Sequence, residues 1–213
     1  MYSLARVNLQ KKRMYFKITP NMVINGKIDH INIGDAQYVD CSGCTELIEL
    51  PNWPNVIRVE CEYCTNLKEL PNWPSVISVY CEKCTGLIAL PNWPNVIRVD
   101  CDACTNLKEL PNWPNVRHVN CSGCRGLIKL GNWEQVRDVC CQWCINLREL
   151  PNWTNVIFVH CIFCTFLEKI PNWDRAKVID CGCPGLKYPA LIVLLETEFL
   201  LDDLKKECIL WHV

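Results

Sequence analysis

"PNWPNVIRVECEYCTNLKEL", residues 51–70, decides the fold, because its pattern returns every 20 residues along most of the chain. Aligned on tryptophan, the following copies begin at Pro71, Pro91, Pro111, Gly131 and Pro151. A degenerate unit covers 31–50, and a last one starts at Pro171, where Cys181 and Cys183 are spaced C-x-C instead of C-x-x-C. A fixed period of this length marks a stack of small units, none of which buries its apolar face alone. A weaker double period runs inside it: "NLKEL" (66–70, 106–110) alternates with "GLI" (86–88, 126–128).

Spacing dictates the geometry of one unit. Val59 and Cys61 stand two apart and share one face of a short strand, so Arg58, Glu60 and Glu62 point the other way. The β-branched residues Val56, Ile57 and Val59 suit that strand. Pro51 and Pro54 disfavour the α region at the residues before them, so "PNWPN" runs extended or polyproline-like. Trp53 then turns inward and stacks on its equivalents Trp73 to Trp173. Strands of successive units pair in parallel at about 4.8 Å.

The inward positions read V-x-x-V-x-C-x-x-C-x-x-L-x-x-L, which resembles the leucine-rich repeat. The 20-residue period with "LPNWP" is similar to the short L-P-x-L-P class of bacterial effector proteins. The resemblance covers about residues 31–189. It implies a β-rich solenoid of about eight 20-residue units, with short parallel strands on a concave face and an extended convex side. Trp replaces the second leucine of L-P-x-L-P. Cys replaces both the last strand leucine and the usual asparagine. The Cys- and Trp-rich style also resembles leucine-rich repeat proteins of large DNA viruses, which implies a particle scaffold as an alternative role.

Eighteen cysteines stand out in a chain of 213 residues with a net charge of -1. Three readings compete. C-x-x-C is a zinc half-site, with a zinc or redox protein as its consequence. Two such halves would have to converge from separate rungs, and none of the four His is in ligand phase with the repeat. Disulfides between equivalent cysteines of adjacent rungs need side chains that rotate toward each other, whereas a ladder points them the same way. The third reading is a free thiol acting as a small buried hydrophobe, whose size leaves room for Trp53. This reading is preferred, and neither cofactor nor metal is expected. Cys140 falls in the outward column and Cys208 in the C-terminal segment. His160 adjoins Cys161, but the two point to opposite faces, so no nucleophile–base pair is read from them. No P-loop, dinucleotide fingerprint or paired-carboxylate motif is present, and the chain is read as non-enzymatic.

Function in a solenoid usually lies on the strand face. Its middle column is Asp40, Glu60, Tyr80, Asp100, Asn120, Cys140, His160 and Asp180. The first half is polar, with acidic residues flanked by Arg58 and Arg98. The second half is apolar around Trp143, Phe158, Ile162 and Phe163, with Phe166 nearby. Exposed aromatic residues anchor protein interfaces unless the chain's own cap or turn covers them. The expected partner-binding residues are therefore Trp143, Phe158, His160, Ile162 and Phe163, with Arg58, Glu60, Arg98 and Asp100. The partner is a protein of unknown identity. The balanced charge does not call for nucleic acid.

Residues 1–30 read as a small β cap with a hairpin signal at Asn25–Gly26. Residues 31–189 read as the solenoid. Residues 190–213 read as a helical cap whose apolar stripe runs from Leu191 to Trp211. Glu196 and Glu198 interrupt its most apolar stretch, which is too short to span a membrane. The first residues lack the apolar core and cleavage site of a signal peptide, so an intracellular, reducing location is expected.

Overall fold

The structure, a computed structural model, describes residues 15–180 and Cys183. Nine strands of three residues form one sheet in chain order: β1 Tyr15–Lys17, β2 Tyr38–Asp40, β3 Arg58–Glu60, β4 Ser78–Tyr80, β5 Arg98–Asp100, β6 His118–Asn120, β7 Asp138–Cys140, β8 Phe158–His160 and β9 Val178–Asp180. Every pair is parallel. From β2 onward the register advances by one repeat per strand, as in Tyr38↔Arg58 and Arg58↔Ser78. The "PNW" half of each rung has neither strand nor helix. This is the leucine-rich-repeat-like β-solenoid that the repeat implies. The helical cap at 190–213 lies outside the described residues, as do residues 1–14.

The N-terminal cap joins the ladder rather than closing it with a long hairpin. Asn25 and Gly26 take positive φ (52° and 78°), and Ile24 and Lys27 exchange backbone hydrogen bonds at 2.9 and 3.0 Å. This two-residue turn is one bridge long. β1, just before it, pairs in parallel with β2 through Tyr15↔Tyr38.

Two inward columns hold the rungs together. The indoles from Trp53 to Trp173 stack with interplanar angles of 4–12° and centroids 5.4–6.2 Å apart. From Trp73 on, each indole N–H donates to the carbonyl of the first residue of the preceding unit, at 2.8–3.1 Å. In the units beginning at Pro71, Pro91, Pro111 and Pro151 that carbonyl also accepts from the tryptophan N–H of its own unit at 3.0–3.1 Å, so the indole fills its second lone pair and ties two rungs together. The second cysteine of each unit from Cys64 to Cys183 donates its thiol to the carbonyl of the first cysteine one rung back, at 2.7–3.2 Å. Among the described residues no buried side-chain nitrogen or oxygen lacks a partner.

Each C-x-x-C closes a tight turn. Cys64 N–H donates to the Cys61 carbonyl at 3.3 Å, and the third residue, Tyr63, has φ of 61°. Gly43 and Gly123 hold the same position with positive φ, but so do Lys83, Ala103, Trp143 and Phe163. The double period also acquires a physical meaning. The side-chain amides of Asn106 and Asn146 donate to the carbonyls of Thr85 and Arg125 on the preceding rung, both at 2.7 Å. In the alternate units, a Cβ at Gly86 would lie 2.5 Å from the Leu67 carbonyl oxygen, and one at Gly126 2.5 Å from that of Thr105.

Candidate interaction surface

The sheet presents one residue in two to the outside, so side chains in register stand side by side along the array. In the N-terminal rungs they satisfy one another. Arg58 lies between the rings of Tyr38 and Tyr80, its guanidinium 5.0 and 4.5 Å from their centroids, and its Nε donates to Glu60 at 2.9 Å. Burial, and then the hydrogen bond with Glu60, push Tyr38 well above the ordinary phenol range. Asp40 accepts from Lys17, from the Tyr15 hydroxyl at 3.1 Å and from the Ser42 N–H at 2.9 Å. Burial raises the Asp40 pKa, but the Lys17 and Ser42 hydrogen bonds outweigh it and leave the carboxyl below its usual value.

Asp100 is placed differently from its column neighbours. Its outward strand position is wholly buried, with 0% exposure, and Glu82 beside it is 9% exposed. It accepts from the Asn120 amide at 3.1 and 3.2 Å and from the Asp102 N–H at 3.1 Å. Burial first, and the charge of Glu82 second, push its pKa up to about 7. Arg98 shares β5 with it and is half-buried.

In the C-terminal rungs the surface turns apolar. Trp143 and Phe163 stack at a centroid distance of 4.1 Å, inclined at 21°. They are 47% and 45% exposed, and Phe166 close by in sequence is 57% exposed. Both stacked residues occupy the third position of the C-x-x-C turn, not the strand, and both have φ of 60°. The turn backbones are tied by the Trp143 N–H donating to the Ile162 carbonyl at 3.0 Å. Phe158 and His160 are half-buried on β8, and Ile162 is half-buried in the turn that follows. The nine residues expected to bind a partner thus fall into a polar group, in which Arg58 pairs with Glu60 and Asp100 is buried against Asn120, and an apolar group that leaves the Trp143 and Phe163 rings exposed.

Three features escaped the residue pattern. The Tyr38–Arg58–Tyr80 sandwich and the His118–Asp138 contact (2.5 Å) both follow from the 20-residue step, since each joins side chains one rung apart. The third is a shallow groove of about 530 Å³ across successive rungs, lined by Ile57, Ile77, Ile97, Asn95, Asn115 and Arg117 among others. Among the described residues, no group of three or more His, Cys, Asp or Glu is arranged to hold a metal ion. No helix there is long and apolar enough to cross a membrane.

No family model matches the sequence. No curated protein matches it. Among solved structures, the crystal structure of the T. pallidum leucine-rich repeat protein is similar at 15% identity and a TM-score of 0.43, over 92% of this chain and 89% of that one.

Proposed function

We propose that this chain is a non-enzymatic interaction module that docks a protein partner through the C-terminal half of its strand face and the adjoining turns. The observation that carries this reading is the Trp143–Phe163 pair. Two large aromatic residues sit where the backbone favours glycine, which costs about 1 kcal/mol each. They also keep nearly half their surface in water. A solenoid turn needs neither feature, since Gly43 and Gly123 serve at the same position. A stacked, pre-ordered aromatic pair loses little entropy on binding and supplies a large desolvated contact.

Phe158, Ile162 and His160 extend the surface along β8 and its turn. Arg58, Glu60, Arg98 and Asp100 lie on the same side of the array, where the Arg58–Glu60 pair and the burial of Asp100 against Asn120 suit them to a polar border rather than an anchor. The test is affinity capture with the full chain and with a variant carrying Phe158, Ile162 and Phe163 as Ser. The reading requires a protein captured by the first and lost from the second, while both give the same far-ultraviolet circular dichroism. Equal capture by both would refute it. A patch that instead joins copies of this chain would show as a change in molar mass by light scattering.

A further inference from the structure

The cysteines of the described residues fall into two populations. Fifteen are buried, and Cys140 is half-exposed. The buried thiols are committed to the ladder. A hydrogen-bonded thiol of the next rung and burial push Cys61, Cys81, Cys101 and Cys121 far above the ordinary thiol range, whereas hydrogen bonds with Cys41 and Cys161 push Cys64 and Cys183 down, and these two are kept from solvent by burial.

Cys140 stands on the outward column of β7. The parallel register sets it opposite Asn120 on β6 and opposite His160 on β8. Neighbouring strands lie about 4.8 Å apart, and residues in register project side by side on one face. A half-exposed thiol and a half-exposed imidazole are therefore neighbours, on rigid sheet rather than on loops. An imidazole next to a thiol takes its proton and stabilises the thiolate, which is the nucleophilic form. The other titratable groups on this face of the adjoining strands are His118 and Asp138, which pair with each other. Asp180 of β9 holds the register position opposite His160.

We propose that Cys140 is a site of S-thiolation by low-molecular-weight disulfides, with His160 as its proton acceptor. His160 takes the thiol proton, and the Cys140 sulfur attacks one sulfur of a disulfide such as glutathione disulfide. A new S–S bond to Cys140 forms as the old one breaks. The departing sulfur leaves as a thiolate and takes the proton back from His160. Cys140 is oxidised to a mixed disulfide, and one half of the small disulfide is reduced to a thiol. The step needs no oxidant beyond the small disulfide. It shares His160 with the docking surface proposed above but does not rest on that reading.

The experiment uses the reduced full chain with glutathione disulfide, adducts being mapped by peptide mass spectrometry between pH 5 and 9. Cys140 is expected to react before any of the fifteen buried cysteines, and Cys140→Ser to lose that adduct. His160→Gln is expected to slow reaction at Cys140 about tenfold at pH 7, and to move its pH midpoint up toward the ordinary thiol value of about 8.5. Both variants alter an outward position, and unchanged circular dichroism checks the fold. Reaction of the buried cysteines as fast as Cys140, or a His160→Gln variant with unchanged rate and pH midpoint, overturns the assignment.

Discussion

The thiol of Cys104 donates to the backbone carbonyl of Cys81, 2.9 Å away on the preceding rung. The bond joins the second cysteine of one unit to the first of the unit before, and the same offset recurs at every rung from Cys64 to Cys164. The C-x-x-C pair is thus an inter-rung clasp. One member supplies a small donor, and the other supplies the carbonyl and fills the core beside it.

Cys104→Ala removes the clasp and leaves a small void. The Cys81 carbonyl keeps the Cys84 N–H as a donor at 3.2 Å, so no acceptor is orphaned. The loss is therefore mainly packing, about 1–2 kcal/mol. Cys140→Ala, on the outward column, is expected to stay within about 0.5 kcal/mol. Urea denaturation of the two variants checks the contrast, and equal losses would deny the clasp its role.

Trp113→Phe tests the second column. The indole stacks on Trp93 at 6.0 Å and on Trp133 at 5.9 Å, and its N–H donates at 2.9 Å to the Pro91 carbonyl, which also accepts from the Trp93 N–H at 3.1 Å. Phenylalanine keeps part of the stack but removes the donor and some volume, a loss of about 2–3 kcal/mol. Trp53 stands at the end of the stack with one ring neighbour and 7% exposure, so Trp53→Phe is expected to cost about half as much. The measurement is the shift in denaturation midpoint for each.

Two glycines three residues apart, Gly123 and Gly126, separate close approach from backbone conformation. A Cβ at Gly126 would meet the Thr105 and Leu107 carbonyl oxygens at 2.5 and 2.6 Å, and rung backbone cannot swing aside as a side chain can. Gly126→Ala is expected to cost about 2–4 kcal/mol. Gly123 has φ of 66° but ordinary spacing, its nearest neighbours 3.4 Å away, and Ala103 already holds the equivalent position. Gly123→Ala is expected to cost about 1 kcal/mol. Thermal melts that ranked the two in the opposite order would show the rungs to be less tightly apposed.

The frame was legible because the period converts one unit's reading into all of them. Val59, Cys61 and Trp53 could be assigned inward from a single rung. What stayed hidden depends on two rungs at once. Cys61 could be placed in the core, but its contact with Cys84 rather than Cys81 is set by the offset between turn and strand. Asp100 reads as a solvated strand residue until Asn120 and Glu82 close over it from either side. His160 adjoins Cys161 in the chain, but its register partner, 20 residues back, is Cys140. The left-handed turn was signalled by Gly43 and Gly123, but aromatic residues at the same position obscured it.

The raised pKa of Asp100 gives the protein a pH dependence with a definite sign. In the unfolded chain a carboxyl titrates near 4, whereas burial and Glu82 place the folded value at about 7. Between these values the folded state holds a proton that the unfolded state has released, so this group's contribution falls as pH rises. It is fully present below about pH 4 and is lost by the time pH has passed through about 7. Asn at this position mimics the neutral acid, and its Oδ1 can keep accepting from the Asp102 N–H and the Asn120 amide. Asp100→Asn is therefore expected to change stability little at pH 4.5. At pH 8 it should raise stability by on the order of 2–4 kcal/mol. Paired urea titrations at the two pH values check this, together with a carboxyl carbon titration by nuclear magnetic resonance that should show a midpoint near 7 for Asp100. A variant no more stable than the parent at pH 8 would mean that Asp100 is ionised and well satisfied by Asn120 in the folded protein.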